Sequence, residues 1–133
     1  MTQKDLMQTM VVRRYKVLER MLNVNGTLFG GDAMGWMDKV GHELAVSITN
    51  KTMYTFMADK IKFLKPVFLN EMVEVCAQPL ELGPVKLSVQ LTVTADPEGP
   101  NRRVALTGIY TFVQLDEQHR PQRINYNILS DFA

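Results

Sequence analysis

The sequence predicts an α+β fold in which one long helix packs on an antiparallel sheet. Three observations carry that expectation. A helical pattern runs from about Gly31 to Ile48, with Ala33, Met37, Val40, Leu44 and Ile48 recurring at steps of three and four. Strand-like segments follow it at 52–64, 72–82, 86–95 and 102–116. The connections between the last of these are short, which makes neighbouring strands antiparallel.

Each element has a local reason. QTMVVRRYKVLE (8–19) is rich in β-branched and aromatic residues and reads as a strand before the helix. NVNG (23–26) reads as a turn, because Asn and Gly tolerate positive φ. The helix is expected to be roughly 25 Å long at about 1.5 Å per residue, with Asn50 as its stop. TMYTFMADKIKFL (52–64) partly alternates, and Pro66, which has no N–H for a ladder, ends or bends it. MVEVCAQPLEL (72–82) is the next strand. In KLSVQLTVTA (86–95), Leu87, Val89, Leu91 and Val93 face one way and Ser88, Gln90, Thr92 and Thr94 the other. DPEGPN (96–101) is a turn, and 102–116 is apolar on both faces, so cover on both sides is expected. Residues 117–133 read as a loop and tail. One open sheet of this size leaves an edge strand unpaired, which favours pairing with a second copy.

The bulk properties narrow the function classes. A chain of 133 residues suggests one domain over 1–133. A net charge of +1 gives no basic field for nucleic acid. No run approaches the length of a membrane span, and MTQKDLMQTM lacks the apolar core of a signal peptide. The expectation is therefore no membrane partner and a cytoplasmic location. Cys76 is the single cysteine, which excludes an internal disulfide and a multi-cysteine metal site. His42 and His119 are far apart in sequence, and no metal is expected.

One carboxylate stands out. On a wheel of about 100° per residue, Asp38 lies at the border of the apolar stripe, beside Ala45 and near Met34 and Gly41. An acid at such a place is ordinarily a solvated boundary residue. Gly35 and Gly41 flank it, each at a cost of about 1 kcal/mol in helix propensity relative to Ala. They mark either the close approach of a ligand or another backbone, or tight packing of helix on sheet. Gly30 and Gly31 stand at the helix start, where N–H groups are unpaired and the dipole is positive. Without side chains they admit a ligand oxygen to those donors, as an oxyanion site requires. They equally suit a tight turn into a helix. Asp38 lies about two turns on, roughly 10 Å along the axis. A base there, facing a group polarised at the helix start, can activate water.

The motif NVNGTLFGGDAMGWMDKVG (23–41) resembles the signature of hotdog-fold acyl-CoA thioesterases. In that family an Asn-x-x-Gly-x-x-x-Gly-Gly run leads into a helix carrying Met-Asp. The likeness continues in MADKIKFLKPV (57–67), with its Phe-x-Lys-Pro, in GPVKLSVQLTV (83–93) and in VALTGIYTFVQLD (104–116). It spans roughly residues 8–125. The resemblance implies a hotdog fold, a long helix wrapped by a curved antiparallel sheet, that pairs into dimers with active sites at the dimer interface. Trimers of dimers, that is hexamers, are a common further assembly. It implies hydrolysis of acyl-CoA to free acid and CoA with no metal or redox cofactor. Asp38 would be the catalytic carboxylate, either as general base on water or as nucleophile through a mixed anhydride. Asn23 would position water or the thioester across the interface. Gly31, and Gly30 beside it, would supply the backbone N–H that holds the thioester oxygen.

One segment departs from the family pattern. Small hydroxyl residues near the CoA phosphates are replaced here by Pro84-Val85-Lys86. Lys86 could supply charge instead, and Arg102 and Arg103 are further phosphate candidates because guanidinium pairs well with it. A solvated turn is the alternative for both arginines. Lys65, in the Lys-Pro motif, is either a contact for pantetheine or phosphate or an exposed strand end. Met34, Trp36, Met37, Phe56 and Met57 line an acyl tunnel or are plain core.

Two other functions share the fold. A hydratase or dehydratase needs an acid/base pair in the pocket. His42 and Glu43 are sequence neighbours pointing about 100° apart, so both read as surface residues, with His42 a candidate for a subunit contact. A non-catalytic acyl-CoA-binding module would be expected beside a regulatory or DNA-binding segment, and the sequence shows none.

Overall fold

The computed structural model describes residues 2–126. A short helix α1 (Gln3–Met7) precedes strand β1 (Val11–Lys16) and a single 3-10 turn (Glu19–Met21). The long helix α2 (Gly30–Thr49) follows. Then come β2 (Tyr54–Phe63), β3 (Met72–Leu82), β4 (Lys86–Ala95), β5 (Arg103–Leu115) and the two-residue β6 (Pro121–Gln122). The sheet runs β1-β3-β4-β5-β2, antiparallel throughout, with β6 added to the end of β5.

Helix α2 forms because its apolar residues share one face. Ala33, Met37, Val40, Leu44 and Ile48 are buried against Val73, Val75 and Ala77 of β3 and Leu87, Val89, Leu91 and Val93 of β4. Asn50 ends the helix in the left-handed conformation, φ 56°, and donates its N–H to the Val46 carbonyl at 2.7 Å. Gly41 is there for packing. A Cβ at that position would lie 3.1 Å from the Phe112 ring and 3.2 Å from Leu91. Gly35 differs, with nothing among the described residues across from it within 4 Å of where a Cβ would stand.

Strand β4 alternates as its sequence predicts, down to a register shift between Val93 and Thr94 that buries Thr94 and Ala95 together. Strand β5 is buried at Ala105, Leu106, Gly108 and Tyr110–Val113, so both of its faces are largely covered. Strand β2 is an edge, and only Ile61 along it is even half-buried. Two register shifts interrupt its pairing with β5, and Lys60 sits at φ 51° in the second.

Three expectations need correction. The first strand is shorter than 8–19: Gln8 and Thr9 donate their N–H groups back into α1, which a Thr2–Asp5 capping box starts and which buries Leu6, and the 3-10 turn begins at Glu19. The tail is not all loop. Ile124 is buried and donates its N–H to Pro84 O at 2.8 Å, and the Tyr126 hydroxyl donates to Gly83 O at 2.6 Å. Residues 127–133 of that tail lie outside the described residues. His42 is half-buried rather than on the surface. Its Nε2 is 2.9 Å from the Met53 carbonyl and its ring tilts over Phe112, so it ties the start of β2 to the helix. Among the described residues, no helix is long and apolar enough to cross a membrane.

Candidate active site

Asp38 projects from the middle of α2 toward the edge strand. It is half-buried, and its Oδ1 accepts a 2.6 Å hydrogen bond from Thr55 Oγ1 on β2. No hydrogen bond to Oδ2 is recorded among the described residues, so that oxygen is open to a water or a substrate. Tyr110 stands beneath this turn of the helix. Its hydroxyl donates to the Met34 carbonyl at 3.0 Å. Burial first, and the nearby charge of Asp38 second, push its pKa up to about 12. At neutral pH Tyr110 is therefore an uncharged donor that fixes the helical turn carrying the acid.

Asn23 lies before the start of the helix, in the turn that the sequence predicts. Its N–H donates to Thr27 O at 2.7 Å, and its Oδ1 accepts from the N–H of Asn25 at 2.9 Å and of Thr27 at 3.2 Å. This side-chain-to-backbone closure explains why Asn suits the position. Asn23 also lines a cavity of about 270 Å³ together with Thr27, Gly30, Phe63, Lys65 and Pro66. A Cβ on Gly30 would stand 2.8 Å from the Phe63 ring, so glycine lets that ring close over the helix start. The Gly30 and Gly31 N–H groups belong to the first turn and have no intrahelical acceptor. Gly30 brings the positive end of α2 to the cavity wall, whereas Gly31 is exposed, outside that lining, and lies against the Phe29 ring, which a Cβ there would overlap.

The basic candidates separate. Lys65 joins Asn23 and Gly30 in the cavity. Lys86 lies at the opposite end of the sheet, with Nζ 4.4 Å above the Phe56 ring. Arg103 pairs with Ala95 and Lys86 with Val113 in the β4–β5 ladder. The two are thus a strand apart, roughly 30 Å at about 3.3 Å per residue, and cannot share one phosphate. Arg102 is exposed, while Arg103 is held by Glu71. Glu43 forms an ion pair with Arg13. Met37 is core, Trp36 stacks on Tyr15, and Phe56 and Met57 are exposed on β2. Cys76 is half-buried, and burial raises its thiol pKa.

Sequence reasoning missed Thr55 and Tyr110. Thr55 is 17 residues from Asp38, and nothing in the strand pattern marks it. Tyr110 was visible only as one more apolar position in β5.

Comparison with known proteins agrees with this architecture. The model of the thioesterase superfamily matches residues 25–100. An uncharacterized acyl-CoA thioester hydrolase of Haemophilus influenzae is 31% identical over 107 residues, covering 77% of this chain and 69% of that protein. The acyl-CoA thioester hydrolase YciA of Escherichia coli is 28% identical over 77% of this chain and 80% of its own length. Among solved structures, a hexameric thioesterase from Yersinia pestis superposes with a TM-score of 0.78 at 26% identity, covering 86% of this chain and 94% of that one. The chain belongs to the thioesterase superfamily and has its hotdog arrangement of one long helix on a six-stranded antiparallel sheet.

Proposed function

We propose that this protein hydrolyses acyl-CoA thioesters to the free carboxylic acid and CoA. The observation that carries the reading is Asp38, anchored through one oxygen by Thr55 and open at the other. Its charged oxygen takes a proton from water as the water oxygen attacks the thioester carbonyl carbon. The Gly30 and Gly31 N–H groups receive the oxyanion that forms. Collapse of the tetrahedral species breaks the C–S bond, and the proton held by Asp38 passes to the departing CoA sulfur. Attack by Asp38 itself through a mixed anhydride has the same overall balance. ¹⁸O found in Asp38 after one turnover in H₂¹⁸O would establish the anhydride route with water attacking the Asp38 carbonyl, since direct attack by water on the thioester labels only the product. The step needs no metal or redox group, and CoA enters as part of the substrate.

Asp38 lies about two turns, roughly 10 Å, beyond the helix start that lines the Asn23 cavity, and a second copy brings another Asp38 to that cavity. Strand β2 is an exposed edge bearing Tyr54, Phe56, Met57 and Phe63, a surface that pairs readily with another strand. Antiparallel pairing of β2 with its copy brings the Thr55 end of one chain against the Phe63 end of the other. Asp38 of one copy then faces the cavity of Asn23, Gly30 and Lys65 in its partner. Each dimer holds two such sites, and three dimers make a hexamer, the assembly of the Yersinia pestis protein. Lys65 and Lys86 are the cations best placed to meet substrate phosphate or pantetheine. A cytoplasmic location fits a substrate carried on CoA.

The test is CoA-thiol release from a panel of acyl-CoAs, short to long. The reading expects turnover of at least one. Failure to release thiol from every member of the panel would refute it.

A further inference from the structure

We propose that Arg103 and Glu71 form an internal strut that holds the Lys65–Pro66 wall and, through it, the Asn23 turn in position for thioester hydrolysis, in place of a phosphate subsite. The proposal rests on the hydrolase reading above. Arg103 Nη1 donates to Glu71 Oε2 at 2.9 Å and Nη2 to Glu71 Oε1 at 2.5 Å, a fork on a carboxylate. Nη2 and Nε also donate to the Pro66 carbonyl at 2.8 and 3.3 Å, and Nη1 to the Asn101 carbonyl at 2.9 Å. These bonds use every nitrogen of a guanidinium that has five N–H donors. None remains for a phosphate.

Both partners are largely buried, each side chain 20% exposed. Pairing favours the charged form of each. The hydrogen bond from Arg103 holds the Glu71 carboxyl below the usual carboxylate range, and Glu71 raises the Arg103 pKa. Glu71 Oε1 accepts in addition from the Phe68 N–H at 2.8 Å, so the pair closes the loop from Pro66 to Glu71 on itself.

That loop is the bridge to the site. Leu64 and Lys65 donate their N–H groups to Ala105 O at 2.8 and 3.2 Å. Leu28 donates to Val67 O at 2.8 Å, and Thr27 forms a bridge with Phe68. Asn23 closes its turn on Thr27. A continuous chain of contacts thus runs from the Arg103 guanidinium through Pro66–Phe68 to Thr27 and Asn23. Loosening it moves the cavity wall and the Asn23 turn together. Arg103 and Glu71 are positioning residues, and neither lines the cavity beside Asn23.

The test compares wild type, Glu71→Gln and Arg103→Ala on two thioesters of the same acyl group, one on CoA and one on N-acetylcysteamine, which has no phosphate. The strut predicts that both variants lose kcat/KM by a similar factor, about 10-fold for a small misplacement, on both substrates. It also predicts that Glu71→Gln costs less in an Asn23→Ala background, because the turn it supports is already disabled. A loss confined to the CoA substrate and to Arg103→Ala would overturn the strut and show a phosphate ligand. Equal losses from Glu71→Gln with and without Asn23 would overturn the path through the turn. Glu71→Gln, which keeps the shape and a neutral hydrogen bond, guards against misfolding of Arg103→Ala. The acyl group is one whose CoA thioester the wild type turns over; a wild type inactive on every acyl-CoA of the panel would instead refute the hydrolase reading itself.

Discussion

The middle turn of helix α2 and its start are built differently. In the middle, Asp38 is an acid on a half-buried helical turn whose one side-chain partner among the described residues, Thr55, lies on an exposed edge strand. At the start, Asn23 and Gly30–Gly31 carry no charge. There the Asn23 side chain is tied by hydrogen bonds beside a formed cavity. On the proposed reading, the middle turn supplies a base and the helix start a holder for a developing oxyanion. That reading has two copies, paired along β2, exchange what each lacks.

Removing the charge should have the largest effect. Asp38→Asn should cut kcat by roughly 100-fold or more, within the range general-base catalysis supplies, with little change in thermal midpoint. Steady-state rates and a melting curve check this together. A variant as fast as wild type would make Asp38 structural. Asn23→Ala should cost less, about 10-fold in kcat/KM, because hydrogen-bond positioning is weaker than proton transfer. A larger loss than that of Asp38→Asn would invert the roles proposed for the middle turn and the helix start.

The flanking glycines sharpen the comparison at the level of stability. Gly41→Ala crowds Phe112 and Leu91 and should destabilise by about 1–3 kcal/mol, as overpacking does. Gly35→Ala meets nothing across from it within 4 Å among the described residues and gains up to about 1 kcal/mol in helix propensity. Denaturant unfolding of both variants measures the difference. A Gly35→Ala protein that folds well and loses activity would show that substrate or the second copy approaches the helix there.

Much of this was legible in the sequence, for physical reasons. The 3.6-residue spacing of Ala33, Met37, Val40 and Leu44 located the helix, and the two-residue period of Leu87 to Val93 located β4. Asn50 marked the stop because Asn tolerates the left-handed conformation. The Asn23 turn and the glycine start stood out through their unusual residue types. Helix α1 was hidden because five residues show no period, although Thr2 and Asp5 spelled out its cap. Thr55 could not be found, since its partner lies across the fold. The same holds for Arg103, which reads as one half of a basic turn and pairs with a glutamate 32 residues away. Such long-range pairs depend on strand order, which spacing along the chain does not encode.

The central claim, that each site joins Asp38 of one copy to the Asn23 end of another, is tested most directly by mixing two disabled chains. Asp38→Asn and Asn23→Ala proteins are dissociated, combined in equal amounts and allowed to reassociate, and thiol release is measured. Random pairing makes half of the dimers mixed, and each mixed dimer carries one site with both residues intact, so the account predicts recovery of about one quarter of wild-type activity. Activity that stays at the average of the two variants, despite demonstrated exchange of chains, would place both residues in one chain's site and contradict it.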